Sequence, residues 1–153
     1  MSESLLKEKI NNLILLYKKG LNQEAQIEAQ KLIKSNPNSF FLHNILGMIN
    51  ISLKEWDKSI ESLSKAIEIK PDYSEAHNNL GVAFNNSGYL KKAAESYLKA
   101  IKFKPNYANA HNNLGSVFND LGRWEEAAEN YSKALEFDSK NIEAYDNLIK
   151  LLT

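Results

Sequence analysis

Three histidines, His43, His77 and His111, stand 34 residues apart, and imidazoles at a regular interval invite a metal-ligand reading. The interval argues against it. With one His per unit and helices packed ~10 Å apart, the ring nitrogens cannot share an ion whose bonds to nitrogen are ~2 Å long. A packing role is expected for them, and no metal or other cofactor. Paired carboxylates such as Glu125-Glu126 fall in a helical pattern with no apolar cleft to raise a carboxyl pKa for acid–base work. The chain has no Cys, which excludes thiol chemistry and a disulfide framework. It has no phosphate-cradling glycine loop, His-Glu-x-x-His run or nucleophile elbow. Catalysis is therefore not expected. What remains is amide chemistry: asparagines recur in Ala76-His-Asn-Asn-Leu-Gly81 and again in Ala110-His-Asn-Asn-Leu-Gly115, and each carboxamide offers both a donor and an acceptor.

These blocks belong to a longer pattern. Pro37, Pro71 and Pro105 are also 34 residues apart, as are Gly47, Gly81 and Gly115, and Ala66, Ala100 and Ala134. The period divides the chain into repeats 6–39, 40–73, 74–107 and 108–141, with a half repeat from Ile142. In the third repeat Ala76, Leu80, Ala83 and Phe84 recur at helical spacing, pause at Ser87-Gly88, and resume as Leu90, Ala93, Ala94, Tyr97, Ala100 and Ile101. That is a helix, a tight turn and a second helix. Gly20, Gly88 and Gly122 supply the left-handed residue past the helix end. Lys54 in the second repeat predicts a variant turn. Each Pro stops a second helix, and Asn38, Asp72 and Asn106 are the expected caps of the next. Trp56 and Trp124 are expected to pack across the turn. No strand pattern appears.

Length and charge agree with a binding role. At 153 residues the chain is one domain's worth, and its 19 Lys plus Arg offset 19 Asp plus Glu, leaving no net field for nucleic acid or an anionic membrane surface. The amino terminus lacks the basic start and apolar stretch of a secretory signal. The longest apolar cluster, Leu13 to Tyr17, falls far short of the ~20 residues of a membrane span. A single domain, 1–153, in the cytoplasm is the expectation.

The 34-residue period, the Leu-Gly pairs at 46–47, 80–81 and 114–115, and the aromatics Phe84 and Phe118 are similar to those of the tetratricopeptide repeat family. So are the small residues Ala25, Ser59, Ala93 and Ala127, the pairs Tyr97 with Ala100 and Tyr131 with Ala134, and the terminal prolines. The resemblance implies an all-α fold: a right-handed superhelical solenoid of stacked antiparallel helix pairs, with the first helices lining a concave surface that binds an extended peptide. Leu13, Ser139 and Ile149 depart from the pattern at the ends, and 142–152 reads as a capping helix.

A helix advances ~100° per residue, so the stripe facing away from the partner helix can be read from the sequence. It comprises Glu75, Asn78, Asn79, Val82, Asn85 and Asn86 in the third repeat, and Asn109, Asn112, Asn113, Ser116, Asn119 and Asp120 in the fourth, and is rich in asparagine. Asn is a poor helix former, so its presence here calls for a reason. Asn44, Asn78, Asn79, Asn112, Asn113 and Asn147 are the expected contacts to a peptide main chain, supported by Asn85, Asn109 and Asn119. In the second repeat the stripe turns apolar, with Phe41, Ile45 and Met48 expected to receive an apolar side chain. The alternative there is burial of these residues against the first repeat. The cations with which one subclass of the family clamps chaperone tails are missing at the matching positions, Asn44, Met48, Asn79, Asn109 and Asn113. The function expected is a protein-interaction scaffold with a protein or peptide partner. Two alternatives are an amino-terminal segment of a larger transferase or hydroxylase, and a scaffold that assembles with copies of itself.

Overall fold

The computed structural model describes residues 3–153, and among them every regular element is helical. The order is α1 (Glu3–Lys18), α2 (Asn22–Ser35), α3 (Phe40–Ser52), α4 (Trp56–Ile69), α5 (Ser74–Asn86), α6 (Leu90–Phe103), α7 (Ala108–Asp120), α8 (Trp124–Phe137) and α9 (Ile142–Leu152). None of these helices is long and apolar enough to cross a membrane. The chain divides into two compact halves, one ending at Pro71 and one starting at Asp72.

In the first half Leu13, Ala25, Ala29, Leu32, Leu42, Ile45 and Ile49 form the core, with Ile10, Ile14 and Tyr17 packed against it. In the second, Ala93, Tyr97, Leu114, Val117, Phe118, Ala127 and Tyr131 do the same. In the second half the paired helices approach closely because a glycine faces an aromatic ring. A Cβ on Gly81 would lie 2.5 Å from Cε1 of Tyr97, well inside van der Waals contact, so only glycine admits the ring there.

The turns are more uniform than the sequence suggests. Lys54 has φ of 60°, in the same left-handed region as Gly88 at 80° and Gly122 at 72°. The amide of Glu55 donates to Asn50 and that of Lys54 to Ile51, as the amides of Tyr89 and Gly88 donate to Phe84 and Asn85. This is one C-terminal capping motif throughout, so the expected variant turn is corrected: Lys54 is held in the standard one by the hydrogen bonds around it. Lys54→Gly should remove a left-handed strain of ~1 kcal/mol. It is expected to raise the urea midpoint at unchanged slope, and a lowered midpoint would contradict this.

The expected caps Asn38, Asp72 and Asn106 lie one residue too early. The cap positions are Ser39, Tyr73, Tyr107 and Asn141. Ser39 accepts from the amide of Leu42 and Asn141 from that of Ala144, while the two tyrosines make no side-chain cap bond. The histidines help to fix these helix starts instead. Nε2 of His43 and Nε2 of His111 each lie 2.9 Å from the carbonyl of the proline six residues before. His77 also stacks on Phe103 and His111 lies against Phe137.

Candidate interaction surface

The asparagines of the second half divide into two classes that the sequence does not distinguish. Asn78 and Asn112 are buried, only 6% and 2% exposed. Each is bonded to the next repeat: Nδ2 of Asn113 donates to Oδ1 of Asn78 at 3.1 Å, and Nδ2 of Asn147 to Oδ1 of Asn112 at 3.3 Å. The donor in each pair follows its acceptor by 35 residues, one repeat plus one position. Asn79, Asn113 and Asn147 are half-buried and reach the surface.

The expectation that Asn78 and Asn112 are open contacts is therefore corrected. A helical wheel identifies the side facing away from the paired helix, but not which part of that side the neighbouring repeat covers. The covered edge carries Asn78 and Asn112, and the open edge carries Asn79, Asn113 and Asn147. Burying a carboxamide unpaired would cost ~1–3 kcal/mol, and the bond between repeats offsets that. It uses only one of the two N–H groups on Asn113 and on Asn147, so each keeps an N–H and its oxygen for something else. Of the supporting residues, Asn85 is half-buried, and Asn109 and Asn119 are exposed.

At the carboxy-terminal end of α7 and α9 lies a cavity of about 310 Å³ lined by Asn119, Trp124, Tyr131, Asn147, Lys150 and Leu151. Trp124 is 60% exposed, so it does not pack across the turn as expected. Its ring is an open apolar platform beside an amide and an ammonium. The signal available in the sequence was Lys150, which stands where the fourth repeat has Ser116 and marks this junction as different.

At the start of α5, Lys104 lies 3.5 Å from Glu75, and its ammonium sits over the Tyr107 ring. Burial raises the Glu75 carboxyl, but bonds from its own amide, Ser74 and Lys104 outweigh that and hold it below the usual range. Burial, together with the Glu75 charge and Tyr73, pushes the Tyr107 phenol up to about 12.

The first half corrects two more expectations. Asn44 is buried, with Nδ2 3.8 Å from Sδ of Met48. Ile45 is 7% exposed and belongs to the core, so it cannot receive a ligand side chain. The reading in which the first two repeats bury their apolar stripe holds for Ile45; Phe41 is exposed and Met48 half-buried. A cavity of about 620 Å³ in this half lies between α2 and α4 and involves none of these three. Its lining includes His43, Leu46 and the buried Asn50. Asn50 occupies the position held by Phe84 and Phe118 in later repeats. It accepts a bond from Gln26 at 2.8 Å.

The family model of the TPR repeat matches residues 47–88, 84–120 and 115–148. The chain belongs to the tetratricopeptide repeat (TPR) family. Three solved TPR-like structures show the breadth of the likeness. The crystal structure of MamA is 27% identical with a TM-score of 0.79, over 90% of this chain and 81% of that one. TTC0263, a thermophilic TPR protein of Thermus thermophilus, is 21% identical with a TM-score of 0.84, over 95% and 80%. YrrB, described as a TPR protein with an unusual peptide-binding site, is 21% identical with a TM-score of 0.78, over 95% and 75%. None of the curated proteins compared with it matches this chain. In TPR terms Asn79, Asn113 and Asn147 all lie on the first helix of a repeat, and all at the same position in it. TPR repeats and TPR structural neighbours make this chain a protein-interaction module.

Proposed function

We propose that this TPR chain binds an extended segment of a partner protein along the row formed by Asn79, Asn113 and Asn147. The observation that supports this most directly is the division of labour among the amides. Asn78 and Asn112 bond to the next repeat, and each donor in those bonds retains hydrogen-bonding capacity at the surface. Amides one repeat apart, ~10 Å, can meet main-chain groups about three residues apart on an extended segment, at ~3.3 Å per residue, whatever its side chains are. The exposed Trp124 and the ammonium of Lys150 at the end of the row suit an apolar or acidic side chain. Peptide binding by YrrB, a structural neighbour, is consistent with this reading.

Phage-displayed random peptides selected on the intact chain supply the probe. The best binder should lose about tenfold in affinity for an Asn79→Ala/Asn113→Ala variant, since each neutral bond contributes a net ~0.5–1.5 kcal/mol. Equal affinity for variant and parent would remove any role for the amide row in binding.

A further inference from the structure

The last helix leaves one face uncovered. Ile142, Tyr145, Ile149 and Leu152 are 75%, 56%, 45% and 73% exposed, and their 3-4-3 spacing draws one apolar line along α9. The core side of α9 is separate: Ala144 is fully buried, Leu148 and Leu151 pack on the core of the second half, and Asn147 bonds to Asn112.

In the third and fourth repeats the matching face is covered by the second helix of the same repeat, with Tyr97 on Gly81 and Tyr131 on Gly115. At the glycine position α9 carries Ile149. That side chain would keep a helix from approaching as closely as α6 approaches α5. It suits a helix at the ordinary interaxial distance of ~8–10 Å, with side chains interlocking.

The charges beside the line point to one occupant. Glu143, Asp146 and Lys150 all lie on the same flank of the stripe, at ~100° per residue. In an antiparallel pair of two α9 helices centred near Asn147, Tyr145 meets Ile149 of the second copy and Ile142 meets Leu152. Like flanks then face one another, and each Lys150 lies between Glu143 and Asp146 of the other copy. The stripe is self-complementary in shape, as a two-fold interface requires, and on its flank the Lys150 pairs outnumber the one like-charge approach, that of Asp146 to Asp146 across the axis. We infer that two copies of this chain pair through antiparallel α9 helices. One helix pair is at the small end of specific interfaces, below ~1,200 Å², so the dimer is a concentration-dependent one.

Sedimentation velocity of the intact chain from micromolar to sub-millimolar concentration tests this. The sedimentation coefficient should rise toward that of a dimer. Ile149→Asp should abolish the rise, with an unchanged circular dichroism spectrum. Lys150→Glu should weaken association about fivefold, and adding Glu143→Lys and Asp146→Lys to it should restore association. Because the chain is free of Cys, Asp146→Cys offers a single thiol that should cross-link copy to copy through a short bis-maleimide. A chain monomeric throughout the range would overturn the inference and leave the stripe to a different occupant. A dimer that survives Ile149→Asp, or one without the Asp146→Cys cross-link, would place association elsewhere or in another orientation.

Discussion

Tyr97→Ala is expected to cost about 3–5 kcal/mol of stability, the range for emptying a fully buried aromatic site. The ring is 1% exposed and fills the space that Gly81 leaves between α5 and α6. Neighbouring side chains cannot close that gap, because the backbone of α5 is already at the ring. Burial also raises the Tyr97 phenol above its ordinary range, so the ring is held away from water as a whole. With total stabilities of only ~5–15 kcal/mol for natural domains, the variant should unfold at a much lower urea concentration. A loss under ~1 kcal/mol would mean that α5 and α6 do not depend on this contact.

The same interface predicts the converse effect one repeat later. A Cβ on Gly115 would lie 2.7 Å from Cε1 of Tyr131 and 3.2 Å from the carbonyl oxygen of Ala127. The ring can tilt, but the backbone oxygen cannot retreat without moving α8. Gly115→Ala should therefore cost ~1–3 kcal/mol by overpacking, despite the better helix propensity of Ala, which alone would favour it by ~1 kcal/mol. In a Tyr131→Ala background the same change should cost less, because the ring contact is gone. A double-mutant cycle in urea reads that coupling directly, and additive costs would show that ring and glycine do not oppose each other.

Which parts of this structure could be read from the sequence follows from what each residue's environment depends on. Gly88, Gly122 and Pro105 act through local backbone geometry, so turns and helix ends are legible wherever they occur. Lys54 shows the limit: the turn is set by hydrogen bonds from the amides of Lys54 and Glu55 to the last carbonyls of α3, and a residue that disfavours it is carried along. The cap error has a similar origin, since the position of the first helical residue decides whether Asn38 or Ser39 can reach an amide. For the interaction surface, the choice of helix face was legible and the choice between adjacent asparagines was not. Asn78 and Asn79 are neighbours of one residue type, and only the next repeat, which bonds the first from Asn113, separates them. Ile45 and Trp124 fail in opposite senses for the same reason: the packing of other helices decides whether an apolar side chain is covered.

A peptide lying along the open amides would be reported, residue by residue, by the side-chain NH₂ resonances of asparagine. In a ¹H–¹⁵N titration with a selected peptide, the amides of Asn79, Asn113 and Asn147 should shift together and saturate at one affinity, with the Trp124 indole shifting alongside them. Those of Asn36 and Asn50 should stay in place. If instead Asn50 and residues of the α2–α4 cleft move while Asn79, Asn113 and Asn147 do not, the peptide binds elsewhere and the amide row serves only to join the repeats.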